Sequence, residues 1–79
     1  MLEKLKNEDF ILTEIVESKY KEEIKDADLV KNNSYAVYED FKGVILQDLI
    51  ECGAYIKKDE VGCNWYYFEY DNKFYSLGY

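Results

Sequence analysis

Eight large rings crowd the last fifteen residues of this chain: Trp65, Tyr66, Tyr67, Phe68, Tyr70, Phe74, Tyr75 and Tyr79, interrupted chiefly by Glu69, Asp71 and Asn72. A chain of 79 residues builds a core too small to hide them all, because a small domain leaves a large share of its surface wet. The rings are therefore expected to divide between a core and a surface. Large rings left at a surface are the usual anchors of protein interfaces.

Alternation supplies the division. Asn64 to Tyr70, then Asp71-Asn72, then Lys73 to Leu77 read as a β-hairpin, since Asp and Asn tolerate the positive φ that a tight two-residue turn demands. A two-residue turn sets Tyr70 opposite Lys73, Phe68 opposite Tyr75 and Tyr66 opposite Leu77 on one side. On the other side Glu69 faces Phe74, Tyr67 faces Ser76 and Trp65 faces Gly78. The first side is the more apolar and is expected to meet the core. The second is expected to expose Trp65, Tyr67 and Phe74 beside Glu69. Ala54 to Lys58 has the same period of two and reads as a further strand.

Upstream the period changes. Phe41, Val44, Ile45, Leu49 and Cys52 form the stripe of an amphipathic helix, widened by Leu46 and Ile50, and Gly53 stands where a left-handed cap would end it. Asn32-Asn33-Ser34 is a loop, its side chains competing for backbone hydrogen bonds, and Tyr35 to Tyr38 reads as a short extended stretch. Asn7-Glu8-Asp9 resembles a helix N-terminus. A first helix is accordingly expected from near Glu8, with Ile11, Leu12, Ile15 and Val16 on one face, continuing as one helix to about Lys31 or as two joined near Ser18-Lys19. The fold class is α+β: a single acidic domain over 1–79, two or three helices packed on an antiparallel sheet of two or three strands that ends in the C-terminal hairpin.

Charge narrows the partners. Seventeen carboxylates stand against ten basic groups, every one of them Lys, for a formal charge of −7. Recognition of phosphates and base edges favours Arg and clustered positive charge, so direct nucleic-acid binding is not expected, and an acidic surface suits a basic partner. The start Met1-Leu2-Glu3-Lys4-Leu5-Lys6-Asn7 lacks the apolar stretch of a secretory leader, and no run approaches the ~18 apolar residues of a membrane span. A cytosolic chain is expected, with Cys52 and Cys63 as buried thiols rather than a disulfide.

Most catalytic chemistry lacks its parts. No His is present, so neither Ser-His-Asp nor Cys-His catalysis can be assembled from the chain, and two Cys fall short of a four-ligand zinc site. The paired carboxylates Glu8-Asp9, Glu22-Glu23, Asp26 with Asp28, Glu39-Asp40 and Asp59-Glu60 read as solvated faces rather than as an acid and base across a cleft. The isolated glycines have no phosphate-cradling spacing. No catalytic residue, cofactor or metal is expected. What remains is carboxylates interleaved with hydroxyl-bearing rings, as in Tyr67-Phe68-Glu69-Tyr70-Asp71 and from Tyr35 to Phe41. This is the make-up of a nucleic-acid mimic, and equally of a Tyr-rich sheet completing a small core.

Leu49-Ile50-Glu51-Cys52-Gly53-Ala54 at a helix end, then Tyr67-Phe68-Glu69-Tyr70 with Leu77 seven residues on, resembles the C-terminal part of ArdA-type antirestriction proteins. The resemblance spans roughly Leu29 to Tyr79. It implies a protein of phages or mobile elements that imitates bent DNA and blocks a restriction enzyme in the bacterial cytosol. Glu51, Glu69, Asp71 and the pair Glu39 and Asp40 would be the matching acidic positions. Tyr75-Ser76 stands where an Arg-Asp pair often precedes the family's Leu. Small anti-CRISPR proteins use the same physical strategy at a size nearer to this one.

The expected partner is a basic nucleic-acid-binding protein such as a restriction or CRISPR effector. The expected contacts are Glu39, Asp40, Glu51, Asp59, Glu60, Glu69 and Asp71 for charge, with Trp65, Tyr67 and Phe74 as anchors. Two other readings stay open: a self-associating structural or regulatory domain, including a homodimer, and a winged-helix DNA-binding regulator suggested by the helix-then-hairpin order after Glu39.

Overall fold

A computed structural model describes residues 10–33 and 46–78. They form five strands and two α-helices in the order β1 (Ile11–Ile15), α1 (Glu17–Ile24), β2 (Asp28–Leu29), a 3-10 turn (Val30–Asn32), α2 (Leu46–Glu51), β3 (Tyr55–Lys58), β4 (Asn64–Tyr70) and β5 (Lys73–Gly78). The strands make one antiparallel sheet in the order β1-β5-β4-β3-β2. None of the helices among the described residues is long and apolar enough to cross a membrane.

The C-terminal hairpin has the expected register, with Tyr70 opposite Lys73, Phe68 opposite Tyr75 and Trp65 opposite Gly78. Asp71 and Asn72 carry φ of 53° and 64°, the double left-handed turn that matches the twist of its strands. The end of α2 is equally local in origin. Gly53, at φ 71°, donates its N–H to Ile50 O at 3.1 Å, and Ala54 donates to Leu49 O at 3.0 Å. This pair of bonds satisfies carbonyls that a helix end would otherwise leave bare.

One face of the sheet carries the main core. Tyr66, Phe68 and Leu77 are fully buried there, with Tyr75 and Ile56 nearly so, against Leu49 of α2 and Val30. Phe68 and Tyr75 stack with ring centroids 5.3 Å apart. Val30 N–H reaches Ala54 O at 2.9 Å, which joins the end of β2 to the α2–β3 connection.

The N-terminal segment corrects the helical expectation. Ile11, Leu12 and Ile15 belong to a strand, and the helix begins only at Glu17, after Val16. β5 has an open edge that needs a partner, and β1 supplies one by setting Leu12 beside Leu77 and Ile15 beside Phe74. Ile11, Thr13 and Ile15 are β-branched residues suited to a pleated surface; tertiary pairing outweighs the i, i+4 spacing. The helix stops at Ile24, well before Lys31, and the sheet has five strands rather than two or three. The proposed start near Glu8, the extended Tyr35 to Tyr38 stretch, and Phe41, Val44 and Ile45 lie outside the described residues. Cys52 and Cys63 are free thiols, and Cys63 is exposed rather than buried.

Leu49 is the fully buried residue of α2, with Leu46 and Ile50 partly buried against the same core. Leu49→Ala should cost about 2–5 kcal/mol and lower the thermal midpoint by roughly 10 °C or more, read by a circular dichroism melt.

Candidate functional site

α1 lies over the sheet face opposite the main core, and its Tyr20 and Glu23, three residues apart, share one helical side. Tyr20 is buried and meets Phe74 with ring centroids 4.7 Å apart. The Glu23 carboxylate accepts from Tyr67 Oη at 2.9 Å, and pairs with Lys57 Nζ at 3.0 Å and Lys19 Nζ at 3.1 Å. Lys57 also stands over the Tyr67 ring, 5.7 Å from its centroid. Tyr67 and Lys57 come from neighbouring strands β4 and β3, so one carboxylate ties the helix to both.

The charges respond to this arrangement. Hydrogen bonding from Lys57, then from Lys19 and Tyr67, holds the Glu23 carboxyl down at about 2, against an ordinary value of 4.5. Burial first, and the facing Glu23 carboxylate second, push the Tyr67 hydroxyl above its ordinary range. Tyr67 therefore stays protonated and donates.

Beside this cluster the sheet opens into a cavity of about 840 Å³. Glu23, Asp26, Asp28, Asp59 and Glu60 contribute five carboxylates to its lining, against Lys57 and Lys58, and Trp65 and Tyr67 contribute rings. Among the described residues, Asp26, Asp28 and Glu60 have no ion-pair partner. Of the two lysines in the lining, Lys57 is already paired with Glu23, and Lys58 is exposed.

Asp59 shapes the wall of the cavity. Its Oδ1 accepts from the backbone N–H of Val61 at 3.0 Å and of Cys63 at 2.9 Å, while Oδ2 accepts from Trp65 Nε1 at 2.9 Å. The indole donor first, and the Cys63 and Val61 amides after it, hold the Asp59 carboxyl below the usual carboxylate range. The Trp65 ring lies so close to Gly78 that a Cβ placed there would stand 2.7 Å from the indole Cζ3. Trp65 is thus pinned by a carboxylate at its nitrogen and by bare backbone beneath its six-membered ring.

Of the residues singled out in the sequence, Asp59, Glu60, Trp65 and Tyr67 come together in this cavity. Glu69, Asp71 and Phe74 lie toward the opposite end of the hairpin, and Glu51 sits on α2, where it shares a smaller depression with Asp48 and Tyr70. Glu39 and Asp40 lie outside the described residues. The expected exposure of the second hairpin face is corrected: Tyr67 is only 6% exposed and Phe74 half-buried, because Glu23 and Tyr20 of α1 meet them, and Trp65 is half-buried against Gly78. Tyr70, at 38%, is the exposed ring of the hairpin among the described residues.

Sequence reasoning missed Glu23, Asp26, Asp28 and Lys57. The spacing of Glu23 from Tyr20 was a usable sign, because it puts a carboxylate on the buried side of α1. Asp26 and Asp28 carry no such sign, since only the pairing of Asp28 with Ile56 brings them to the β3 edge.

Because folding lowers the Glu23 pKa, its contribution to stability is complete above the unfolded value of 4.5 and is lost as pH falls toward about 2. Glu23→Gln should flatten the acid limb of stability in that window, measured by urea unfolding at a series of pH values. Asp59→Ala should shift the emission of Trp65 to the red by freeing the indole, with the hairpin retained in the far-ultraviolet dichroism spectrum.

Comparison of the chain with protein-family models, with curated proteins and with solved structures finds no match.

Proposed function

We propose that this chain is an inhibitor of a bacterial defence nuclease or effector, of the antirestriction or anti-CRISPR kind, that presents carboxylates to the Lys/Arg surface on which its target holds nucleic acid. It would act in the cytosol of the bacterial host, as a binding protein and not as an enzyme. The observation that carries this reading is the placement of exposed carboxylates at both ends of β4. Asp26, Asp28 and Glu60 edge the cavity at the β3–β4 end, while Glu51, Glu69 and Asp71 lie toward the β4–β5 turn.

The spacing suits mimicry. Seven residues of β4 separate the two groups by about 20 Å at ~3.4 Å per residue, which is the axial rise of roughly six base pairs of a duplex at ~3.4 Å each. The formal charge of −7 gives the same surface a long-range pull on a basic groove. Helix and loop residues supply most of these carboxylates, and the sheet holds them at fixed separation.

A second reading, self-association, has its own observation. Ile11, at the start of edge strand β1, and Val16, just past its end, are 65% and 69% exposed, and an edge strand flanked by exposed apolar residues invites pairing with another copy.

A tagged pull-down from a lysate rich in restriction and CRISPR complexes separates the two. Inhibition predicts recovery of a basic nuclease complex that washes off with salt; recovery of the bait alone, as a salt-insensitive dimer in sedimentation, favours self-association. With the target in hand, Glu69→Gln combined with Asp71→Asn should weaken binding at least about fivefold and make its salt dependence shallower. Asn is at home at the positive φ of position 71, so the turn survives the change. Unaltered affinity would sink the mimicry.

A further inference from the structure

The cavity between the β3–β4 loop and the C-terminal end of α1 is more specific than an acidic surface needs to be. Its carboxylates surround an indole, and that indole is immobilised: Asp59 holds Nε1 at 2.9 Å, and Gly78 leaves no room for movement beneath the ring. A freely solvated acidic face would need neither restraint. Asp26, Asp28 and Glu60 are exposed and have no ion-pair partner among the described residues; of the two lysines in the lining Lys57 is bound by Glu23 at 3.0 Å, and the three carboxylates outnumber the remaining Lys58.

We propose that this cavity receives the guanidinium of an arginine side chain from a partner protein. A guanidinium is planar, stays charged at every accessible pH, donates through a fork that fits carboxylates, and stacks on an aromatic face. A lysine ammonium shares the charge but not the plane, and a phosphate or carboxylate is repelled. The volume of about 840 Å³ accommodates a long side chain together with part of the backbone that bears it. The inference deepens the inhibitor reading, on which it rests for the partner's basic character, by naming the side chain that would dock.

Trp65 is the one tryptophan of the chain, so its emission reports on the cavity directly. The probe is the acetylated, amidated tripeptide Gly-Arg-Gly, titrated at low salt beside analogues bearing lysine or the neutral isostere citrulline. A saturable change in Trp65 emission with the arginine peptide is expected, at a higher midpoint with lysine and without saturation with citrulline. Asp28→Asn combined with Glu60→Gln should raise the arginine midpoint at least about fivefold; both side chains are exposed, so folding is not at stake. The hairpin-end variant, Glu69→Gln with Asp71→Asn, should leave it unchanged. Equal responses to arginine and citrulline, or an unmoved midpoint in the Asp28/Glu60 variant, would overturn the inference. The titration contains no nuclease, so its failure would leave the pull-down result standing, and a guanidinium-selective response would uphold the cavity even where no nuclease is captured.

Discussion

The Glu23 carboxylate is the point on which the two sides of the sheet depend. A five-stranded antiparallel sheet can leave one face to water when that face is polar, but here both faces carry rings. The main core covers Tyr66, Phe68 and Tyr75; Phe74, Tyr67 and Trp65 lie on the reverse. α1 is eight residues long, too short to be stable by its own propensity. It is held by Tyr20 against Phe74 and by Glu23 bonded to Lys57 of β3 and Tyr67 of β4. Glu23 thereby takes up one of the two lysines that line the cavity and holds the Tyr67 hydroxyl, and the carboxylates of the lining outnumber the remaining Lys58.

That closure changes what the aromatic tail is for. Density of rings reads as an adhesive patch when each hairpin side is judged alone, but among the described residues most of these rings are buried or half-buried, Tyr70 excepted, and they support a surface whose exposed groups include Asp26, Asp28, Glu60, Glu69 and Asp71. Trp65 is the intermediate case, half-buried and pinned, yet lining the cavity. In the proposed inhibitor the carboxylates supply long-range attraction and spacing, and one fixed ring supplies a short-range stacking surface.

The parts of this arrangement legible in the sequence are those whose causes are local. The Asp71-Asn72 turn fixes the register of β4 and β5 through backbone conformations only a few residue types tolerate, and Gly53 ends α2 for the same kind of reason. β1 was not legible, because Ile11, Leu12, Ile15 and Val16 satisfy a helical spacing as well as an extended one, and the choice is made by the open edge of β5 more than fifty residues away. β2 is two residues long and exists only by pairing with β3. The same distinction divides the site. Asp59 and Glu60 stood out as a carboxylate pair, and Trp65 and Tyr67 by the alternation of the hairpin, whereas Asp26 and Asp28 reach the cavity through the path of the chain from α1 into β2, which no local signal specifies.

The closure of the second face by α1 is most directly tested by a two-dimensional nuclear Overhauser spectrum of the protein in solution. Cross-peaks between the ring protons of Tyr20 and Phe74, with a Tyr67 hydroxyl proton slow enough in exchange to be seen, are the result the structure predicts. Absence of the Tyr20–Phe74 peaks, with Tyr67 and Phe74 showing the shifts of solvated rings, would contradict it and return the aromatic face to the surface as a binding patch.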